Sequence, residues 1–363
     1  MTFEFNPDDP PPVDAGLFGM SLAPEDAGVW LIPVPVEATT SYGAGTSFGP
    51  EAMRRASHQM DFFDLEFGRP WQAGFATLND ERLTRIEALD QQARGLARAA
   101  RGQSGASQAR TIAEVNRLTE ELHGLVRAVA GEGHSAGKLV ALVGGDHSTA
   151  FGGVAAAVAA EGELGVLQLD AHADLRVAYE GYRWSHASVM HNVLAELPEV
   201  TRLVQVGIRD FSEAEHSAIH DSGGRIVTVF DQELVPTRTG TRSFDDVIKP
   251  ALEQLPEKIY LSFDIDGLDP ALCPATGTPV PGGLSWAEIQ RLLTLVAESG
   301  HRIVGLDLCE VAPSGGKVVA DNDGAVNDGQ PSAPEDLYAD EWDANVGARL
   351  LYRMIGLALK TRG

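Results

Sequence analysis

Six histidine and aspartate side chains of the kind that bind metal ions stand in three short clusters: Gly-Gly-Asp146-His147-Ser148, Asp170-Ala-His172-Ala-Asp174 and Asp264-Ile-Asp266. The six are His147, Asp170, His172, Asp174, Asp264 and Asp266. Their donors are hard carboxylate oxygens and imidazole nitrogens, with no cysteine thiolate among them. Such a set suits two divalent ions of the manganese kind better than one structural zinc ion. The clusters therefore predict a hydrolase that uses bound metal ions.

Each cluster directly follows a short apolar run that is typical of a buried β-strand. These runs are Lys138–Val143, Gly165–Leu169 and Lys258–Phe263. Ligands of open α/β sheets bind beyond the carboxyl ends of the strands, where the three clusters are expected to meet. Where the chain stays extended, residues two apart point to the same side, which predicts that the ligands within a cluster converge.

The three clusters support a metal site only when they are taken together. A single Asp-x-Asp pair is more often a turn or a helix cap, and a single histidine at a strand end is more often a satisfied core residue. Burying four carboxylates and two imidazoles in one place without a cation would cost many kcal/mol in repulsion and desolvation. Bound metal is the simplest resolution of that cost.

Short β-rich runs alternate with helical stretches, and this alternation predicts the fold class. The other predicted strands are Trp30–Val36, Arg202–Gly207, Arg225–Phe230 and Arg302–Leu306. The predicted helices are Pro50–Ser57, two within 81–130, Ala150–Glu161, His186–Leu197, Ser212–His220, Asp245–Leu255, Ser285–Ser299 and Ala344–Lys360. Continuous apolar strands separated by helices imply an α/β fold, in which a three-layer, doubly wound, mainly parallel sheet carries helices on both faces. Two prolines place Trp30–Val36 at a sheet edge or at a strand end.

Composition divides the chain into an arm and one large domain. Residues 1–28 are rich in proline and acidic side chains and are expected to form an extended or disordered N-terminal arm. Residues 29–363 are expected to form a single domain. Within it, residues 81–130 are a helical segment, and residues 313–340 are a long loop that follows Glu310 closely and could contribute to a pocket wall.

The net charge of −24 argues against binding to nucleic acid or to an anionic membrane, because like charges repel. A cationic substrate fits this field, although an acidic surface more often serves solubility alone. The two cysteines are too few for a disulfide scaffold or a thiolate metal site. Neither an export signal nor a membrane-spanning apolar run is visible, so the cytoplasm is the expected location.

The three clusters, in this order, resemble those of the ureohydrolases, the family of arginase, agmatinase, guanidinobutyrase and formiminoglutamase. Further matching residues are Thr46–Pro50, Ser262–Asp266 with Pro270, Pro274, Ala275 and Gly283, and Cys309–Pro313. The likeness covers residues 29–361 and implies an arginase-like fold.

The second cluster and the residues after it look closest to those of bacterial agmatinases. The resemblance implies hydrolysis of a guanidino compound to urea and an amine, with agmatine giving putrescine as the expected reaction. Arginases carry an asparagine where this chain has Arg176, which argues against arginase activity. Arg176 either pairs with a substrate carboxylate or is a structural partner of a nearby aspartate, and the structural role is favoured because a cation would repel the amine of agmatine. Guanidinobutyrase, guanidinase, formiminoglutamase and arginase activities stay open.

The resemblance also implies a binuclear manganese centre, with nickel as the alternative metal. One ion would take His147, Asp170, Asp174 and Asp264, and the other Asp170, His172, Asp264 and Asp266. Two such ions lower the pKa of a shared water, which can then attack the guanidinium carbon. His186 is the expected proton shuttle to the leaving amine, and Glu310 is the expected acceptor of hydrogen bonds from the guanidinium. The family implies a homotrimer or a homohexamer.

Three other functions fit the sequence less well. A dinucleotide-binding loop at Gly43–Gly49 fails on its spacing and lacks the strand, helix and downstream acid of that motif. A single-zinc deacetylase of the histone deacetylase kind shares the fold class, but the complete set of ligands for a second ion argues against it. An inactive family member that serves as a regulatory subunit would typically lack a ligand or the catalytic histidine, and here nothing is missing.

Overall fold

Strands from both halves of the chain form one sheet in the computed structural model, which describes residues 5–12, 14–40, 43–313 and 341–362. The strands are β1 (Val29–Val34), β2 (Phe75–Thr77), β3 (Leu139–Gly144), β4 (Leu164–Leu169), β5 (Val200–Ile208), β6 (Ile226–Phe230), β7 (Lys258–Asp264) and β8 (Arg302–Cys309). Within the described residues they lie in the order β2-β1-β3-β8-β7-β4-β5-β6, and every neighbouring pair is parallel. The predicted parallel α/β sheet is therefore confirmed.

Helices cover both faces of this sheet. They are α1 (Gly49–Ser57), α2 (Glu81–Arg101), α3 (Gly105–Ser135), α4 (Ala150–Glu161), α5 (Val189–Glu196), α6 (Glu213–Asp221), α7 (Asp231–Arg238), α8 (Phe244–Leu252), α9 (Trp286–Glu298) and α10 (Trp342–Thr361). Alternate side chains of β3 enter two core clusters: Ala141 and Val143 join α1, α8, α9 and α10, whereas Val140 and Leu142 join α2 and α3. Because successive strand residues point to opposite faces, this alternation confirms the predicted three layers. In the ranges described, no helix has both the length and the apolar character needed to cross a membrane.

β1 lies inside the sheet, although it contains Pro33. Its register with β2 stops at Leu31, whose carbonyl accepts the N–H of Leu78, and only β3 accompanies it further. Residues two apart in a strand hydrogen-bond toward the same side, so the nitrogen of Pro33 faces the region beyond the end of β2. No ladder bond is lost there. The edge prediction is therefore wrong for this strand, and the strand-end alternative describes Pro33.

The sequence does not predict two elements of the structure. β2 has three residues, too few for a periodic pattern, and α7 contains Pro236, which interrupts the expected helical signal. The helix predicted at His186–Leu197 begins as a one-turn 3-10 helix over His186–Ser188 and continues as α5. His186 therefore lies in a turn rather than along a helix.

The second half of the predicted N-terminal arm packs into the core. Leu17, Phe18 and Met20 are buried, and the N–H of Phe18 donates to Oγ of Ser57 at 2.8 Å. These apolar side chains stabilise the fold by leaving water, so the expectation of an extended or disordered arm does not hold for this stretch. The division into an arm and one domain stays a prediction. The loop predicted at 313–340 lies, after Pro313, outside the described residues.

Candidate metal centre

The carboxyl ends of β3, β4 and β7 bring the three clusters together. His147, Asp170 and Asp174 form one group of candidate ligands, and Asp170, His172 and Asp266 form a second. The donor atoms within each group lie within 4.8 Å of one another, and Asp170 belongs to both groups. In the second group, Nδ1 of His172 lies 3.0 Å from Oδ2 of Asp266. The expected meeting of the clusters is confirmed by this geometry, and the role of each residue as a ligand stays a prediction.

His147 is the centre of the first group. Its Nδ1 lies 3.0 Å from Oδ2 of Asp170 and 3.0 Å from Oδ2 of Asp174. Asp264 stands beside this group, because its Oδ2 lies 3.5 Å from the same nitrogen. Three carboxylates thus surround Nδ1 at the edge of a buried imidazole.

Tight turns, rather than extended strands, orient the side chains within the second and third clusters. Oδ1 of Asp170 accepts the N–H of His172 at 2.6 Å. Asp266 lies in the one-turn 3-10 helix Ile265–Gly267, and its N–H donates to Oδ1 of Asp264 at 2.9 Å. Short carboxylate side chains bend the chain in this way by bonding to the backbone two residues on. The prediction that the ligands converge by strand alternation is therefore wrong, even though the clusters do meet.

Burial makes the ionised carboxylates of this site unfavourable unless a cation is present. Burial, and then the carboxylate of Asp170, raises the pKa of Asp174 to about 7. Burial, and then the carboxylates of Asp266 and Asp170, raises the pKa of Asp264 well above its ordinary value. A divalent cation among these oxygens supplies the opposite charge that buried carboxylates require. A donor set of carboxylates and imidazoles fits ions such as Mn²⁺.

Ser262 and Asp307 form a chain of hydrogen bonds to Nε2 of His147, the ring nitrogen that faces away from Asp170 and Asp174. Nε2 of His147 lies 2.9 Å from Oγ of Ser262, which donates to Oδ1 of Asp307 at 3.0 Å. Because the serine gives its only proton to Asp307, its oxygen accepts the N–H of Nε2. A metal ion that replaces the proton on Nδ1 would then find the other ring proton fixed on Nε2. An imidazole held in this tautomer is oriented for a metal ion. Asp307 thus helps to orient His147 through Ser262.

Replacing Ser262 by alanine is expected to weaken the binding of a divalent ion at His147 by about 10–100-fold, because the variant loses the acceptor that fixes the tautomer. Titration of the metal-free protein with Mn²⁺ measures this affinity. Ser285→Ala is a matched control, since Ser285 caps α9 by accepting the N–H of Glu288. The control should lose stability but keep its metal affinity. Unchanged Mn²⁺ binding in Ser262→Ala would rule out the orienting role.

A cavity of 140 Å³ opens against both groups of candidate ligands. Its charged or titratable lining residues are His172, Asp174, Arg176, Tyr179, His186, Asp210 and Glu215. The half-buried ring of His186 meets the ring of Tyr179 edge-on at 6.2 Å. Burial, and then positive charge on His172 and His147, lowers the pKa of His186 to about 4, so the ring is neutral at neutral pH. The structure therefore places the predicted proton shuttle on the cavity wall.

Arg176 lies on the same wall, and its charge is partly offset. Its Nε lies 3.6 Å from Oε2 of Glu215, and its guanidinium lies over the ring of Tyr179 at 5.1 Å. Glu215 is itself held, because its Oε2 accepts the N–H of Ser212 at 2.8 Å in the cap of α6. The acidic partner of Arg176 is therefore a glutamate rather than the expected aspartate.

Glu310 is buried beside His147, with 6% of its surface exposed. Its Oε1 accepts the backbone N–H of His147 at 2.9 Å. A carboxylate can accept several hydrogen bonds, so Oε2 and a second lone pair of Oε1 remain for a guanidinium. The φ of Glu310 is 62° and that of Asp174 is 54°. Such left-handed conformations cost about 1–3 kcal/mol in residues other than glycine and cluster at functional sites.

The sequence does not single out Asp210 and Glu215, which also line the cavity. They follow β5, whose carboxyl end carries none of the three clusters. The sequence signal that could have found them is their position directly after β5, because parallel strands end at the same edge of the sheet, where ligands bind. In the first cluster, Asp146 caps the one-turn 3-10 helix His147–Thr149, because its carboxylate accepts the N–H of Ser148 at 3.1 Å.

Comparison with known proteins gives consistent matches. A family model described as the arginase family matches residues 27–319. An N(1)-aminopropylagmatine ureohydrolase of Thermus thermophilus is 34% identical over 301 residues, which are 82% of this chain and 88% of that protein. The agmatinase of Cronobacter sakazakii is 30% identical over 302 residues, covering 81% and 83% of the two chains. The solved structure of the agmatine ureohydrolase of Thermoplasma volcanium shares the fold, with a TM-score of 0.65, 22% identity and coverage of 93% and 92%.

Proposed function

We propose, since this chain belongs to the arginase family, that its hydrolytic site splits agmatine into urea and putrescine. By their names, the relatives above act on agmatine or on aminopropylagmatine. Both compounds join a guanidinium to a chain that ends in a cationic amine. The observation that carries the proposal is that both ligand groups border one cavity, which the exposed carboxylate of Asp210 also lines.

The charge around the cavity favours a substrate with a cationic tail. The side chain of Asp210 is 68% exposed at this cavity, and its Oδ2 lies 3.9 Å from Nε2 of His172. The guanidinium of Arg176 is offset by Glu215 at 3.6 Å. With that pair neutralised, Asp210 attracts an ammonium group and repels a carboxylate. This distribution supports agmatine over guanidinobutyrate.

In this proposal the two groups would hold two Mn²⁺ ions, with Ni²⁺ as the alternative metal. The residues that would hold them are His147, Asp170, His172, Asp174, Asp264 and Asp266, and Asp170 and Asp264 would be shared between the ions. The pair of ions would supply a hydroxide nucleophile at neutral pH, because bound metal lowers the pKa of water. The sharing of Asp170 is supported by its place in both groups, whereas the contact of Asp264 is with His147 of the first group.

His186 and Glu310 act on the substrate. Glu310 accepts the N–H donors of the planar guanidinium, for which a carboxylate is the natural partner. His186 starts as a neutral ring, so it can accept the proton of the hydroxyl group that has added to the guanidinium carbon and deliver it to the leaving amine. Its place on the cavity wall with His172 and Asp174 supports this role.

Urea release from a panel of guanidino compounds tests the proposal. The purified protein is loaded with Mn²⁺ or with Ni²⁺ and given agmatine, N1-aminopropylagmatine, guanidinobutyrate, arginine or guanidine. The highest kcat/KM is expected with agmatine. A higher value with N1-aminopropylagmatine would select the second candidate, which the relative of 34% identity favours. A preference for guanidinobutyrate would overturn the charge argument, and no urea from any compound would favour an inactive regulatory subunit.

Asp210→Asn is expected to raise the KM for agmatine by roughly two- to five-fold, which corresponds to about 0.5–1 kcal/mol for an exposed ionic contact. The KM for guanidine should not change, because guanidine has no tail for Asp210 to attract. Steady-state kinetics with agmatine and with guanidine measures the two KM values. Asp221→Asn is the matched control, since Asp221 ends α6 with a side chain that is 78% exposed. An equal rise for guanidine would show that Asp210 acts on the metal centre rather than on the tail.

The assembly and the location complete the proposal. We propose a homotrimer or a homohexamer in the cytoplasm, acting on a small cationic guanidino substrate and binding neither nucleic acid nor membrane. The resemblance to the family supports the assembly, and the net charge of −24 supports the choice of substrate. Sedimentation analysis of the purified protein tests the number of subunits.

A further inference from the structure

The guanidinium of Arg209 donates hydrogen bonds to carbonyl oxygens from several segments. Nη2 donates to the carbonyls of Asp266 at 2.6 Å and of Leu268 at 3.1 Å. Nη1 donates to Gly207 at 3.1 Å, and Nε donates to Val280 at 3.2 Å. Arginine is the side chain whose rigid fork of N–H donors can satisfy so many acceptors at once. One side chain thus ties the end of β5 to the turn after β7.

These segments carry the second group of candidate ligands. Asp266 belongs to that group, and its Oδ1 accepts the N–H of Ala171 at 3.0 Å. The carbonyl of Ala171 in turn accepts the backbone N–H groups of Arg209 at 2.8 Å and of Asp210 at 3.0 Å. The backbone of Arg209 therefore holds the loop after β4, and its side chain holds the turn after β7.

Two glycines lie close to the side chain of Arg209. A Cβ atom at Gly283 would lie 2.4 Å from the carbonyl oxygen of Leu268 and 2.9 Å from Nη2 of Arg209. A Cβ atom at Gly282 would lie 2.8 Å from Oδ2 of Asp231 and 3.3 Å from Cδ of Arg209. The φ values of Gly282 and Gly283 are 100° and 95°, which glycine adopts without strain. The glycines thus allow Arg209 to pack closely against the turn that contains Leu268.

We propose that Arg209 is a positioning residue, which holds the carboxylate of Asp266 in the geometry that binds the second divalent ion. This inference rests on the proposed two-metal function. The charge and the hydrogen bonds of Arg209 act on cation binding in opposite directions. A positive charge near the carboxylates weakens the binding of a cation, whereas a fixed turn strengthens it. The sign of the change in metal affinity therefore separates the two effects.

Titration of the metal-free protein with Mn²⁺ tests the proposal. Wild-type protein is expected to bind two ions, and Arg209→Gln is expected to bind one as tightly and the other about 10–100-fold more weakly. Arg209→Lys keeps the charge but offers three rotatable donors in place of the fork, so it should also lose affinity for one ion. Excess Mn²⁺ should restore urea release in both variants, which a misfolded protein would not show.

Arg225→Gln is the matched control. Arg225 precedes β6, and its guanidinium donates to the carbonyls of Val200 at 2.8 Å and Leu194 at 3.0 Å, near the amino ends of the strands. The control should lose thermal stability but bind both ions as the wild type does. Wild-type or tighter binding of both ions by Arg209→Gln would overturn the proposal, and so would an equal loss in Arg225→Gln. Fewer than two ions in the wild type would instead overturn the two-metal function itself.

Discussion

Replacing Asp264 by asparagine is expected to stabilise the metal-free protein and to abolish urea release. The carboxylate of Asp264 is buried, and the nearby carboxylates of Asp266 and Asp170 contribute to raising its pKa. Asparagine has nearly the same shape without the charge, so the free energy of unfolding of the metal-free variant should rise by roughly 1–3 kcal/mol. With Mn²⁺ present, the wild type should instead have the higher free energy of unfolding. The wild type gains about 4 kcal/mol from an ion at a thousand times its Kd, and the variant loses much of that gain.

The pH dependence of this difference in stability follows from the raised pKa of Asp264. A raised pKa means that the ionised form of Asp264 is disfavoured in the folded protein. The penalty in the wild type grows as the pH rises from the ordinary aspartate value of about 4 toward the raised pKa. The advantage of the variant should therefore be largest at neutral pH and should shrink in acid. Thermal unfolding in a chelator, at several pH values, measures it.

Asp245→Asn is the control for this substitution. Asp245 pairs with Arg291 at 2.5 Å and with Lys249 at 3.0 Å. Both cations hold its pKa below the ordinary value, with the Arg291 hydrogen bond as the largest cause. Its loss should destabilise the protein slightly and leave urea release unchanged. The prediction fails if Asp264→Asn is less stable than the wild type in chelator, or if it still releases urea.

Replacing His186 by asparagine is expected to lower kcat for urea release by about 10²–10⁴-fold, the usual contribution of a general acid or base. The ring lies on the cavity wall and is neutral at neutral pH, so the variant should lose proton transfer without losing a ligand. Bound Mn²⁺ and the KM for agmatine should therefore stay near the wild-type values. Added imidazole should restore part of the activity, because a free base can enter the space that the ring leaves.

His191→Asn provides the comparison, since His191 lies one turn into α5 and is half-buried. It is expected to keep both its kcat and its metal content. If His186→Asn kept more than a tenth of the wild-type kcat, the shuttle would have to be another group. If it lost a bound ion, the effect would belong to the metal centre.

The ends of the strands show how far the sequence predicts this fold. The runs before the three clusters are mainly apolar, and each forms a buried strand of the parallel sheet. Local pattern is sufficient there, because a strand covered on both faces needs mainly apolar residues. The short β2 and the proline-containing α7 escape prediction, because tertiary pairing and packing, rather than periodicity, stabilise them.

The candidate metal site is likewise predictable from the sequence only in part. The residue types within each cluster are sufficient to predict metal chemistry and to predict that the clusters meet at one edge of the sheet. The direction of each side chain is not predictable from spacing, because hydrogen bonds such as that from the N–H of Asp266 to Asp264 turn the chain after the strand ends. Asp210 stands on the cavity because β5 lies next to β4, a neighbour relation that the local sequence does not encode.

The sequence by itself determined the donors, the alternation of strands and helices, and the family that they resemble, because these depend on residue type and local order. The tertiary structure alone decided that Ser262 and Asp307 orient His147 and that Arg209 holds the turn around Asp266. Some contacts at the site join residues that are close in the chain, such as Asp170 and His172, which are 2 positions apart. Others join distant residues, such as His147 and Ser262, which are 115 positions apart. Only the packing of strands in the sheet brings the distant ones within hydrogen-bonding distance.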